Sequence, residues 1–394
     1  MHVVSASAGS LNLTTTSGGV ELDAASVSAS RAPGTGALVI DSADGLVFGA
    51  NGGGGSPVAA ASLAVTARGA VSQTVPLSIG GATSIDANGG DVTLDAAQND
   101  FDTISVTGAA VTLDDANGIQ ILQTAASGPL TVQSHGALTV GGSVSGGGDI
   151  TLVSNTGSIA LLTPGATPTT VDAAGTLTLR AAQNIGFGAN TAASAAGELV
   201  IAAGGSLAMD PASGASAGGS LTASAGADAT VATLSSADAA VSVTAQGSAE
   251  FVDAVTLAGP LSVAAGSDGV KFDGAIDGGA PTADLTVSTS GPVTFAGALG
   301  GAAALHSLTT EGGGPVTLEN GTVSATGSID FGGAVTVASD TTFSAPILTF
   351  GGSLDGIGAG AQAITVDPTG TATFDDAVGA GEALSSFTTS GGTA

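Results

Sequence analysis

Six phrases decide the fold: Ala249-Glu250-Phe251-Val252-Asp253-Ala254-Val255, Val270-Lys271-Phe272-Asp273-Gly274-Ala275-Ile276, Val293-Thr294-Phe295-Ala296-Gly297-Ala298-Leu299, Ile329-Asp330-Phe331-Gly332-Gly333-Ala334-Val335, Leu348-Thr349-Phe350-Gly351-Gly352-Ser353-Leu354 and Ala372-Thr373-Phe374-Asp375-Asp376-Ala377-Val378. Most of their phenylalanines follow one another at steps of roughly 20 residues, the length of one coil of a solenoid. The step from Phe295 to Phe331 is much longer. The aliphatic residue, the Phe, the fifth-position Gly and the final aliphatic share one parity, which on a strand is one face. Asp253 and Asp376 stand at that Gly position in two copies. It reads as a corner, where a small or turn-forming residue lets the chain bend. Stacked coils then place Phe over Phe, with Phe295 on Phe272, at a strand spacing of about 4.8 Å.

The same grammar extends outward. Leu11-Asn12-Leu13, Val92-Thr93-Leu94, Val111-Thr112-Leu113, Leu130-Thr131-Val132, Ile150-Thr151-Leu152 and Leu177-Thr178-Leu179 each put two aliphatics on one face, the period of a half-buried strand. Gly, Asn, Asp and Ser clusters separate them, as turns require. Helix signals are nearly absent. A longer repeat aligns Thr294–Gly313 with Thr373–Gly392 without a gap. At roughly 21 residues per coil, the expected fold is an all-β, elongated parallel β-helix of about 18–19 coils, on the order of 90 Å long. A Phe-poor part, 1–245, precedes a part carrying the Phe phrase, 246–394. The expectation is one continuous solenoid, cut from a longer chain.

Composition excludes several classes. Four Lys and Arg stand against 32 Asp and Glu in 394 residues, a formal net charge of −28. Such a chain repels a phosphate backbone, so nucleic-acid binding is excluded. Without cysteine there are no disulfides and no thiol nucleophiles. No apolar run is long enough for a membrane-spanning helix, and the start has neither the basic nor the apolar region of a signal peptide. Hydrophobic residues make up 43%, enough to build a core rather than a disordered chain.

The phrase Gly90 to Asn99 (Gly-Asp-Val-Thr-Leu-Asp-Ala-Ala-Gln-Asn) resembles the repeats of filamentous-haemagglutinin-like exoproteins. Val293 to Thr310 is similar to the β-strand repeats of very large bacterial surface adhesins. The resemblance implies a right-handed parallel β-helix, secreted through an outer-membrane pore and displayed on a Gram-negative surface. It also implies a role in attachment or biofilm matrix. The partners it implies are glycans or proteins of host or neighbouring cells, met through regions outside this segment. Self-association, end to end or side by side, is a further expectation.

β-helices also carry polysaccharide lyases and hydrolases, so basic and acidic residues need weighing. A lyase base would have to be Lys271, Arg31, Arg68 or Arg180. Lys271 has Asp268, Asp273 and Asp277 nearby in sequence and reads more simply as a surface lysine on an acidic face. Paired acids for a glycosidase are offered by Asp114-Asp115 and Asp375-Asp376, but neighbours on a strand point to opposite faces. Asp91, Asp95, Asp100, Asp102, Asp114 and Asp115 could supply oxygen ligands to calcium, and equally are ordinary turn residues. His2, His135 and His306 share no metal-ligand spacing. Gly52-Gly53-Gly54-Gly55-Ser56-Pro57 is a loop rather than a phosphate cradle, since no Lys-Ser/Thr follows it. Thr93, Thr112, Thr131, Thr151 and Thr178 could form an ice-binding ladder, but their uneven spacing suits ordinary strand threonine. The expectation is a structural segment with no catalytic, cofactor or metal residues and no cofactor. The alternatives are a carbohydrate-active β-helix enzyme and a calcium-stabilised surface-layer or matrix protein.

Overall fold

The computed structural model describes residues 1–3, 6–7, 10–22, 27–28, 36–49, 57–358 and 360–391, with only the backbone described at 2–3, 6–7 and 27–28. Arg31, the His2 side chain and Gly52 to Ser56 lie outside the described residues. The described chain is all-β and without helix, its parallel strands stacked as a β-solenoid of about 16 turns. It divides into two units, Met1–Ala203 and Gly204–Ala394.

In the first unit each turn has three faces. Leu130–Ser134 forms the first, Leu138–Val140 the second and Val144–Gly146 the third. The next turn repeats the order with Ile150–Ser154, Ile159–Leu161 and Thr169–Ala173. Pairing is parallel and in register: Leu130 with Ile150, Leu138 with Ile159 and Val144 with Val171. Alternate residues point inward, so Leu130, Val132, Ile150, Leu152, Leu177 and Leu179 are fully buried while the residues between them meet solvent.

Turn length varies because the extra residues go into corners and leave the strands in register. Val92 pairs with Val111 across a short turn, and Ile150 with Leu177 across a much longer one. The longer turns explain why the described chain has about 16 turns. A uniform coil length instead gives the expected number of about 18–19.

The second unit has the same three-faced plan. Leu221–Ala225, Ala229–Val231 and Thr233–Ser236 make one turn. The Phe phrase straddles a corner: Val270–Phe272 lies on the second face and Ile276–Gly278 on the third. A Cβ added at Gly274, Gly297, Gly333 or Gly352 would run into the backbone of the turn below, which explains glycine at the corner.

The phenylalanines form two ladders. Phe251, Phe272 and Phe295 stack on the second face, with centroids 4.5 and 5.3 Å apart and near-parallel rings. Above Phe295 that column continues as Leu318 and Val337. Phe331, Phe350 and Phe374 stack on the first face, above Thr310. The long step from Phe295 to Phe331 is therefore a change of face, and the phrase marks a corner rather than a fixed place in the turn.

Candidate functional site

One set of acidic side chains is bound to backbone of the neighbouring turn. Asp91 accepts from the Ala110 N–H (3.0 Å), Asp149 from Thr176 (2.8 Å) and Asp340 from Ala363 (2.8 Å). Asp277 accepts from Ala302 (2.8 Å), and Asp355 from Gly381 (2.9 Å). Asp228 accepts both the backbone N–H (2.8 Å) and the hydroxyl (3.0 Å) of Ser248, bonds that hold its carboxyl below the ordinary range. In each case the acid caps an N–H about one turn later. Corner amides lack a ladder partner, and an oxygen acceptor on the turn below satisfies them.

One corner is polar inside. Asn99 and Asp115 are fully buried. Asn99 accepts from Leu77 N–H (2.9 Å) and Gln73 Nε2 (2.8 Å), and donates to the carbonyls of Leu94 and Asp114. Asp115 accepts from Phe101 N–H (2.7 Å) and Asn117 N–H (3.1 Å). Burial raises its pKa against the lowering effect of those two bonds. The alternation expected for Asp114-Asp115 holds, with Asp115 inside and Asp114 facing out, 3.3 Å from His135 Nε2. Asp91, Asp95, Asp100 and Asp102 are exposed; Asp91 and Asp95 flank the strand Val92–Leu94, and Asp100 and Asp102 lie on the strand Asp100–Gly108. Among the described residues no group of three or more His, Cys, Asp or Glu could hold a metal ion.

Lys271 is exposed on the second face, with Nζ 2.6 Å from Asp273 and 3.4 Å from Glu250. Its hydrogen bond to Asp273, then that to Glu250, raises its pKa above 10.5. A lyase base must surrender its proton near the working pH, and these partners act against that. Asp277 is committed to the Ala302 amide and Asp268 lies on the rim of the shallow depression beside Lys271. Arg68 and Arg180 are exposed in separate turns of the first unit.

A cluster that sequence reading missed lies at Asp284. It meets His306 Nδ1 at 2.6 Å and accepts the Ser307 hydroxyl. Burial pushes the Asp284 carboxyl up, but the bonds from Ser307 and His306 outweigh it and leave the group below its ordinary pKa. These are the residue types of a hydrolase triad, but serine and histidine both face the acid. A triad requires the serine to meet the histidine. The signal was the step of one turn from Asp284 to His306, legible only once strand register is known.

Thr93, Thr112, Thr131, Thr151 and Thr178 stand opposite one another in five successive turns. The column is more regular than the sequence spacing suggests, because the corners absorb the differences. Two positions along, the facing residues are Asp114, Gln133, Val153 and Arg180, so the hydroxyl array is one residue wide.

A family model described as repeats of unknown function (DUF5649) matches residues 35–107 and 108–171, about a third of the chain. Each match corresponds to three turns: Leu38 pairs with Leu63, Leu63 with Thr83 and Thr83 with Ile104, and then Val106 with Thr124, Thr124 with Val144 and Val144 with Val171. No curated protein and no solved structure matches the chain.

Proposed function

We propose that this chain is a non-catalytic structural segment of a secreted bacterial surface adhesin, serving attachment or a biofilm matrix. The observation that carries the reading is the use of the acids. Asp91, Asp149, Asp228, Asp277, Asp340 and Asp355 each cap the backbone one turn on. Carboxylates that would serve a reaction must instead converge on substrate at fixed separation. The resemblance of Gly90 to Asn99 and Val293 to Thr310 to exoprotein and adhesin repeats supports the same reading. Partners in this reading are surface glycans or proteins engaged outside this segment.

The test uses antibodies raised against the purified chain on intact cells of the producing bacterium, before and after protease shaving. The expected result is labelling of unpermeabilised cells that shaving removes, and weaker attachment after in-frame deletion of the segment. Labelling only after permeabilisation would refute a surface role. Unchanged attachment would refute the adhesive one.

A further inference from the structure

The third face of the second unit contains a break. Gly214–Ala217 pairs with Thr233–Ser236, and Val255–Leu257 pairs with Ile276–Gly278, but Thr233–Ser236 and Val255–Leu257 do not pair with each other. The two unpaired edges come within 8 Å, Cα to Cα. That falls short of the roughly 9.6 Å that an added strand between them needs. Between them lies a cavity of about 190 Å³, lined chiefly by Leu234, Val241, Phe251, Val255, Leu257 and Leu261. Leu234, Val241 and Val255 are half-buried, although their register partners Ala215, Leu221 and Ile276 are buried.

From this geometry we infer that the cleft binds a small neutral aromatic molecule of the size of indole. An apolar cavity of about 150 Å³ suffices for a benzene ring, so this one takes a slightly larger ring system. The gap is too narrow for a peptide strand. The strand edges on either side offer backbone N–H and C=O groups, which suit a ligand with one hydrogen-bonding atom. Asp253 adjoins the lining residue Ala254, and the chain carries a net charge of −28, so an anionic ligand is disfavoured.

The test is a titration of the full chain, with 13C-labelled Leu and Val methyls, with indole. The expected result is saturable shifts concentrated at Leu234, Val241, Val255, Leu257 and Leu261. Indole-3-acetate, which adds a carboxylate, should bind at least tenfold more weakly. Val255→Phe should fill the cleft and weaken indole at least tenfold, while Thr244→Ala, exposed on the strand Val241–Ala245 and outside the cleft lining, stays within twofold of the parent. Absence of saturable shifts up to the solubility limit, shifts spread over distant methyls, or full binding in a folded Val255→Phe would each overturn the inference. If Val255→Phe fails to fold, the methyl map of the parent chain decides alone.

Discussion

Phe272 is the middle ring of a three-ring ladder and 1% exposed, so Phe272→Ala tests how far the aromatic column stabilises the second unit. Its ring lies between Phe251 at 4.5 Å and Phe295 at 5.3 Å. Truncating a buried Phe to Ala costs about 3–5 kcal/mol. Two lost stacking contacts, each contributing about 0.5–1.5 kcal/mol, place this site in the upper half of that range. Collapse cannot relieve the cavity, because the backbone ladders hold the turns at their spacing. Phe387 is the comparison, being 40% exposed with one edge-on contact to Phe374. Its truncation should cost about 1 kcal/mol or less, given how little surface it buries. The chain has no Trp or Tyr, so urea unfolding is best followed by far-UV circular dichroism. Hydrogen exchange at 249–295 reports the local effect, since solenoids can open in parts. A loss below about 1 kcal/mol for Phe272→Ala, or one equal to that of Phe387→Ala, would refute the reasoning.

Three further outcomes are expected. Asp115→Ala strips the acceptor from the Phe101 amide and should cost about 1–3 kcal/mol, seen as a lower urea midpoint; an unchanged midpoint would mean the polar corner adds nothing. Asp228 and Asp284 have folded pKa values below their ordinary 3.8, so their contributions are present above that pH and lost as pH falls through the depressed values. Asp228→Asn should therefore make the fall in midpoint below about pH 4 shallower, and an unaltered acid profile would count against the Ser248 clip. Lys271→Met should leave the urea midpoint unchanged, as a surface substitution does, and a lowered midpoint would give the Asp273–Lys271–Glu250 group a structural role.

Much of the fold was legible in local pattern. Val-Thr-Leu runs gave strands because parity alone assigns the buried side, and Phe295 does stack on Phe272. The corner glycines were legible because bending a chain close to its neighbour needs a residue without a Cβ. The face change between Phe295 and Phe331 was not, because the phrase encodes strand, corner and strand without saying which face comes first. Nor were the acid clips. The step from Asp149 to Thr176 is much longer than that from Asp91 to Ala110, so the partner of an acid cannot be found before register is known. The buried Asn99 and Asp115 look in sequence like any turn residue, and only the converging amides distinguish them. The same holds for Asp284 with His306 and Ser307, whose meeting depends on register alone.

The central claim is that these side chains hold turns together and perform no reaction. The most direct measurement is a turnover assay of the purified chain on a panel of polysaccharides, with and without calcium, reading new reducing ends and unsaturated products. The account predicts no product above a heat-inactivated control on any substrate. Product that disappears in Lys271→Met, or in Asp284→Asn, would contradict it and place an active site on that face.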